Sequence, residues 1–370
     1  MSDYLITEVS ASDWDTNEQI LTLLEAEGIH RDNNLDYTCA MFDEEMRVIA
    51  TGSCFFNTLR CLAVSNTHQG EGLMNQMITH LVSVQFARGN THLFLYTKYS
   101  TAPFFADLGF YEIASIKNQI VFMENKRNGF SSYLKKLEQD LTIQNIPLQE
   151  SAASAKNAAI VLNANPFTLG HQYLVEKAAH ENDILHLFIV EEDASLIPFS
   201  IRKKLVIEGT SHLTNIIYHD SGPYMISNAT FPGYFQKDER EVMESHAELD
   251  LAIFTKIAEK LHISRRYIGE EPFSETTAIY NKIMAEKLPE NGIDCIIVPR
   301  KQSIDTKNGI KNIPSHPLPI SASIVRQAIK NGNLSLLKEL VPETTLQYLK
   351  SEEAIPVVKK IQQANYVIHH

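Results

Sequence analysis

Cysteine is scarce in this chain: four residues in 370, Cys39, Cys54, Cys61 and Cys295. They form no C-x-x-C pair and have no histidines at zinc-ligand spacing, which excludes a disulfide scaffold and a zinc finger. They read as small buried apolar residues in a reducing compartment. No apolar run approaches the ~18 residues needed to cross a bilayer. The opening Met1-Ser2-Asp3-Tyr4-Leu5 carries no basic stretch of the kind that starts a signal peptide. A cytoplasmic protein with no membrane association is expected. Positive charge is also short: 33 Lys and Arg against 45 Asp and Glu, a net charge of −12. That argues against a nucleic-acid partner and leaves room only for a local basic groove. Internal repeats and low-complexity tracts are absent, which excludes solenoids and disordered linkers as the main architecture.

What is present suits a globular α/β protein of two or three domains. Residues 1–125 carry strand-like segments (Tyr37–Met41, Val48–Gly52, Leu59–Val64, Leu93–Thr97) and a helix from about Gly72 to Ala87. Residues 126–157 are polar and helical around Tyr133–Leu137, end in Ser151-Ala152-Ala153-Ser154-Ala155, and read as a connector. Residues 158–370 alternate apolar strands (Ala159–Leu162, Leu185–Val190, Tyr267–Gly269, Cys295–Val298) with helices, the pattern of a doubly wound parallel sheet.

The strongest chemical signal is Asn165-Pro166-Phe167-Thr168-Leu169-Gly170-His171, between the apolar run Ala158–Leu162 and an amphipathic stretch. It reads as strand, tight turn and helix start. A helix start offers unpaired N–H groups and the positive end of a dipole to a phosphate. His171 can add a bond to a phosphoryl oxygen. Downstream, Ile320-Ser321-Ala322-Ser323-Ile324-Val325-Arg326 follows the Pro-rich turn Ser315–Pro319. With Ser321 as N-cap and Arg326 one turn on, it presents two hydroxyls, main-chain N–H groups and a guanidinium to one anion. Between the two lies Tyr267-Ile268-Gly269-Glu270-Glu271-Pro272, a strand ending in a Gly turn, where adenine and ribose are expected near Gly269 and Glu270, with a solvated acidic loop as the other reading. Ile201-Arg202-Lys203-Lys204 begins a helix after Pro198-Phe199-Ser200, with Arg202 a candidate cation for the leaving pyrophosphate; for Lys204 a solvated basic face is the other reading.

The first stretch resembles the (H/T)-x-G-H motif of the nucleotidyltransferase superfamily, with Thr168 in place of the first histidine. The second resembles that superfamily's I-S-S-T-x-x-R motif, with Ala322 and Ser323 as departures. The resemblance implies His171, Thr168 and Arg326 as catalytic residues. It implies Asn165, Phe167, Gly170, Gly269, Glu270, Ser321, Ser323 and Arg202 as nucleotide-binding ones. A further segment, Ser221-Gly222-Pro223-Tyr224 through Phe231-Pro232-Gly233-Tyr234-Phe235, resembles the citrate lyase ligases. That likeness continues through Gly269–Pro272 and Thr277–Asn281 to the Ser321 helix and covers nearly the whole chain. It implies that ATP, with Mg2+, and acetate give an acetyl-adenylate. It implies as partner the acyl carrier subunit of citrate lyase, whose CoA-like arm carries the accepting thiol. No protein side chains are expected to cage a metal.

In the first block, Gln69-Gly70-Glu71-Gly72-Leu73-Met74 resembles the (Q/R)-x-x-G-x-(G/A) pyrophosphate loop of GNAT acetyltransferases, with Met74 replacing the last small residue. Thr101–Phe110 resembles their later helix and Gly-Phe turn. The expected fold is α/β: an N-terminal GNAT-like acetyltransferase fold and a C-terminal Rossmann-like nucleotidyltransferase sheet, with Gln69, Gly70 and Gly72 holding the CoA-like arm. A second reading is an adenylyltransferase of a cofactor pathway fused to an acetyltransferase-like domain. A third is a regulatory ATP-binding module with a degenerate GNAT platform.

Overall fold

The computed structural model describes residues 4–143, 156–191, 195–225, 239–270, 275–300 and 320–364. The Ser151–Ala155 stretch, residues 226–235 of the family-like segment, Glu271, Pro272 and the Ser315–Pro319 turn lie outside the described residues. The elements in order are β1 (Ile6–Glu8), α1 (Trp14–Ala26), β2 (Tyr37–Phe42), β3 (Val48–Phe55), β4 (Thr58–Val64), α2 (Leu73–Ala87), β5 (Phe94–Lys98), α3 (Ala102–Asp107), β6 (Tyr111–Ile116), β7 (Ile120–Glu124) and α4 (Gly129–Ile143). There follow β8 (Asn157–Leu162), α5 (Leu169–Glu181), β9 (Ile184–Ile189), α6 (Phe199–Gly209), β10 (Ile216–Asp220), α7 (Glu239–Leu261), β11 (Arg265–Gly269), α8 (Glu275–Lys287) and β12 (Asp294–Val298). The chain closes with α9 (Ala322–Lys330), α10 (Leu334–Leu340), α11 (Glu343–Lys350) and α12 (Ile355–Gln363).

The contacts divide the chain into two compact units, Met1–Ser132 with Thr230–Ile253, and Tyr133–Ala229 with Phe254–His370. Composition suggests contiguous blocks, whereas the first unit takes in a second, distant piece of chain that includes part of α7. The stretch read as a connector supplies α4, and the division falls inside it.

The first unit holds a seven-stranded sheet in the order β1-β2-β3-β4-β5-β7-β6. Every pairing is antiparallel except β4–β5, which is parallel and registers only Thr58 with Phe94 and Leu59 with Leu95. Beyond Leu59 and Leu95 the two strands are unpaired and part. Gly52 on β3 lies where an added Cβ would press on Leu81, Met77 and Leu62, so the strand must stay bare there for α2 to pack on it. The core joins Cys39, Cys54, Leu59, Met77, Leu81, Leu95 and Phe110. Burial pushes the Cys39 and Cys61 thiols up to about 12, as expected of packing residues.

The second unit holds a five-stranded, wholly parallel sheet in the order β10-β9-β8-β11-β12. Its inner strands are covered on both faces, which is why Ile184-Leu185-His186-Leu187-Phe188-Ile189 is buried throughout rather than alternating. The order reverses between β8 and β11. That crevice, at the carboxyl ends of the strands, is where such sheets bind ligands. The α/β architecture and both sheets are those expected. The sequence pattern does not mark β1, β6, β7 or β10: β1 is three residues long, β6 carries Glu112 and Ser115, and β7 and β10 end in acidic residues.

Candidate functional site

The turn after β8 is built from within. Ala164 adopts a left-handed φ of 51° and the Asn165–Pro166 peptide is cis. Phe167 is fully buried and lies against Gly209, where an added Cβ would sit 2.6 Å from the ring. Asn165 Oδ1 accepts from the Ile197 N–H (3.2 Å), tying the turn to the segment before α6.

Thr168 caps α5. Its Oγ1 accepts from the His171 N–H (3.2 Å), and its own N–H donates to His171 Nδ1 (3.2 Å). This reciprocal box normally uses Glu or Gln at the third helical position; a histidine fills it here. A main-chain N–H can only donate, so Nδ1 carries the lone pair and the ring proton resides on Nε2. The Phe167 ring lies parallel to the imidazole, with centroids 5.9 Å apart. Burial, then the charges of Arg300 and Arg326, push the His171 pKa down to about 4. At neutral pH the ring is therefore an uncharged Nε2–H donor.

The second motif meets the first. Ser321 is the N-cap of α9, its Oγ accepting from the Ile324 N–H (3.2 Å). Arg326 is 2% exposed. Its Nη1 donates to the Asn165 carbonyl (2.6 Å) and its Nη2 to Ser323 Oγ (3.2 Å). Burial lowers its pKa to about 10, still leaving it cationic at neutral pH. A Cβ added to Gly170 would lie 3.2 Å from the Ile320 carbonyl, so the two helix starts touch through a glycine. Thr168, Gly170, His171, Ser321, Ser323 and Arg326 thus share one edge of the sheet.

Gly269 and Glu270 stand at the end of β11 on that edge. Gly269 pairs with Val298, and its carbonyl accepts from Asn281 Nδ2 (2.9 Å). The Glu270 N–H donates to the Val298 carbonyl (2.9 Å), and its Oε2 accepts from the Arg300 N–H (3.3 Å). Arg202 departs from the expected role at the pyrophosphate. It is fully buried, and its guanidinium donates to the carbonyls of Asn163, Val190 and Ile197. It staples the ends of β8 and β9 instead of facing a ligand. Its neighbours turn outward, Lys203 to Asp220 and Lys204 to Glu353.

The arrangement fits a polyanion: two adjoining helix starts, a buried guanidinium and a neutral imidazole donor. Asn165 Nδ2 is buried without a hydrogen-bond partner, a donor that a ligand oxygen at this turn would satisfy. Among the described residues no three His, Cys, Asp or Glu side chains gather to hold a metal. No described helix is long and apolar enough to cross a membrane.

The first unit has a cavity of its own, about 560 Å3, where β4 and β5 part. Gln69, Gly70 and Gly72 line one end. Gly70 and Gly72 have φ of +89° and +81°, and a Cβ on either would meet nothing within 4 Å. Gly72 precedes α2 without a side-chain cap. Gln69 Nε2 donates to Glu27 Oε2 (3.3 Å) and the Val64 carbonyl (3.4 Å). Leu62, Tyr96 and Phe105 form apolar wall.

Known proteins bear on both units. The family model of the citrate lyase ligase C-terminal domain matches residues 157–349. A [citrate [pro-3S]-lyase] ligase of Escherichia coli K12 is 34% identical over 348 residues, 94% of each chain. That of Klebsiella pneumoniae is 36% identical over 324 residues, covering 85% of this chain and 88% of its own. Among solved structures, a GNAT-family acetyltransferase from Staphylococcus aureus Mu50 is 12% identical with a TM-score of 0.29, covering 33% of this chain and 99% of its own. Escherichia coli ElaA is 11% identical with a TM-score of 0.29, covering 33% and 99%.

Proposed function

The chain belongs to the citrate lyase ligase family, and from that premise we propose that it activates citrate lyase by acetylating a thiol at the expense of ATP. The finer class is an acid–thiol ligase that releases AMP and pyrophosphate, working in the cytoplasm. Acetate oxygen attacks the α-phosphorus of ATP, the bond to pyrophosphate breaks, and acetyl-adenylate forms. A thiolate on the CoA-like arm of the lyase's acyl carrier subunit then attacks the acetyl carbon, a thioester forms and AMP leaves.

The observation that carries this reading is the junction of the two phosphate motifs, Arg326 to Asn165 and Gly170 against Ile320. His171 would donate its Nε2 proton to an oxygen of the reacting phosphate, and the helix starts at Thr168 and Ser321 would hold the remaining oxygens. Ser323 would act with Arg326. Gly269 and Glu270 are assigned to the nucleoside, at the sheet's switch point. Magnesium would neutralise phosphate charge, carried mainly by the triphosphate. No protein nucleophile takes part; positioning and electrostatics supply the rate.

Gln69, Gly70 and Gly72 are assigned to the pyrophosphate of the CoA-like arm, with the cavity between β4 and β5 for the chain that ends in the thiol. Holding the arm on the same protein raises the effective concentration of its thiol. The test supplies ATP, acetate and deacetylated carrier. One AMP and one pyrophosphate per thioester, with no ATP cleavage when acetate is withheld, is the expected result. ADP and phosphate as products would defeat the reading.

A further inference from the structure

We infer that Glu27 is a stand-in anion for the arm's pyrophosphate: its carboxylate holds Gln69 until the CoA-like arm displaces it, and so sets how tightly the arm is held. The inference rests on the assignment of the first unit's cavity to the arm and adds a residue that no motif marks. Glu27 follows α1 as its C-cap and lines the cavity together with Gln69, Gly70, Gly72 and Leu73. Its Oε2 accepts from Gln69 Nε2 at 3.3 Å, and the Val64 carbonyl accepts from the same nitrogen at 3.4 Å. A carboxylate and a carbonyl can only accept, which turns the amide's NH2 towards them and occupies both of its protons. A phosphate oxygen can therefore bond to that nitrogen only by replacing one of the two. Val64 is held in the sheet by its pairing with Ala50, whereas Glu27 is a half-buried side chain bonded at a long distance. The carboxylate is the partner that yields.

The charge at Glu27 opposes a pyrophosphate. It sits at the C-terminal end of α1, where the helix dipole is also negative, and shares the cavity with the first turn of α2, whose main-chain N–H groups suit phosphate. Lys98 Nζ donates to the Glu27 main-chain carbonyl (3.1 Å), which steadies that helix end. Glu27 thus keeps the glutamine of the loop ordered in the arm's absence and repels the arm's phosphates when they arrive. An arm that must present its thiol and then depart with an acetyl group is served by this weaker hold.

The test uses the full chain with CoA as the probe, by calorimetry at low and at high salt. Glu27→Gln keeps the shape and removes the charge. It should bind CoA about fivefold more tightly than wild type at low salt, with the gap closing as salt screens the repulsion. Glu27→Asp keeps the charge and should bind no more tightly than wild type. With the carrier as substrate, Glu27→Gln should lower the KM for the carrier without raising kcat. Wild-type or weaker CoA affinity in Glu27→Gln overturns the inference, and so does a tightening that salt leaves unchanged. CoA bound by neither protein overturns it together with the assignment of the cavity to the arm. Acetate-dependent pyrophosphate exchange, which needs no arm, reports on the ligase reaction separately: its absence from wild type defeats that reaction and leaves a tightened Glu27→Gln in support of the inference.

Discussion

Arg326 donates to the carbonyl of Asn165 at 2.6 Å, joining two segments 161 residues apart. One guanidinium thus fixes the turn after β8 against the start of α9. Its second branch, on Ser323 Oγ, orients a hydroxyl in the same first turn. A residue buried in this way holds the site's shape as well as its charge.

Arg326→Ala should therefore lower both stability and activity. Losing a buried charged donor with two acceptors costs about 2–4 kcal/mol, read by urea unfolding, and the apparent ATP requirement should rise with it. Arg326→Lys should recover only part, because a point charge cannot span both acceptors. Unchanged unfolding and unchanged ATP kinetics in Arg326→Ala would show that the clamp is idle.

His171→Ala should slow acetate activation about 100-fold with a smaller loss of stability, since the Thr168 N–H loses its acceptor. The pH dependence has a definite sign. The folded protein holds the ring at about 4, whereas an unfolded histidine titrates near ~6.5. The contribution of this group to stability is complete above the unfolded value and is lost as pH falls from there through about 4. His171→Gln, which does not titrate, should lose less stability than wild type between pH 7 and 4.5. Parallel unfolding curves across that interval would contradict the assignment.

The capping serine was legible because a hydroxyl residue before an amphipathic run has one obvious use, and Ser321 fills it. So was the turn of Asn165–His171, with Pro and Gly as punctuation. Arg202 was misleading for a physical reason: a run of three residues, Arg202-Lys203-Lys204, looks like a basic face, but a helix turns each residue by 100°. Only the packed structure shows that 202 points inward and 203 and 204 outward. The inclusion of Thr230–Ile253 in the first unit is likewise invisible to composition.

Glycines separate the two roles of the sheet edge. Gly170→Ala would bring Cβ to 3.2 Å from the Ile320 carbonyl, tight enough that the two motifs must shift by a few tenths of an ångström. Gly269→Ala meets nothing closer than 4.0 Å. The first should cost activity about tenfold, while the second should change stability by less than ~1 kcal/mol. Any loss of ATP affinity in Gly269→Ala then reports contact with the ligand. Equal effects of the two changes, in turnover and unfolding, would contradict this account.

Gly72→Trp tests the cavity in the first unit. The position has open space around it but a left-handed φ of +81°, so some strain accompanies the block. Acetylation of the carrier should fall at least tenfold, with adenylation spared. A point change is preferable to removing residues 1–125, because Thr230–Ile253 belongs to the same unit and would lose its companions. A folded Gly72→Trp protein that acetylates the carrier at the wild-type rate would remove the cavity from the mechanism.

In the proposed reaction acetate attacks the α-phosphate of ATP at the edge shared by Thr168, His171, Ser321 and Arg326. Exchange of labelled pyrophosphate into ATP, measured with no carrier present, tests it most directly. The account predicts exchange that requires acetate and that falls about 100-fold in His171→Ala. Exchange of equal rate without acetate, or none with it, would contradict the claim.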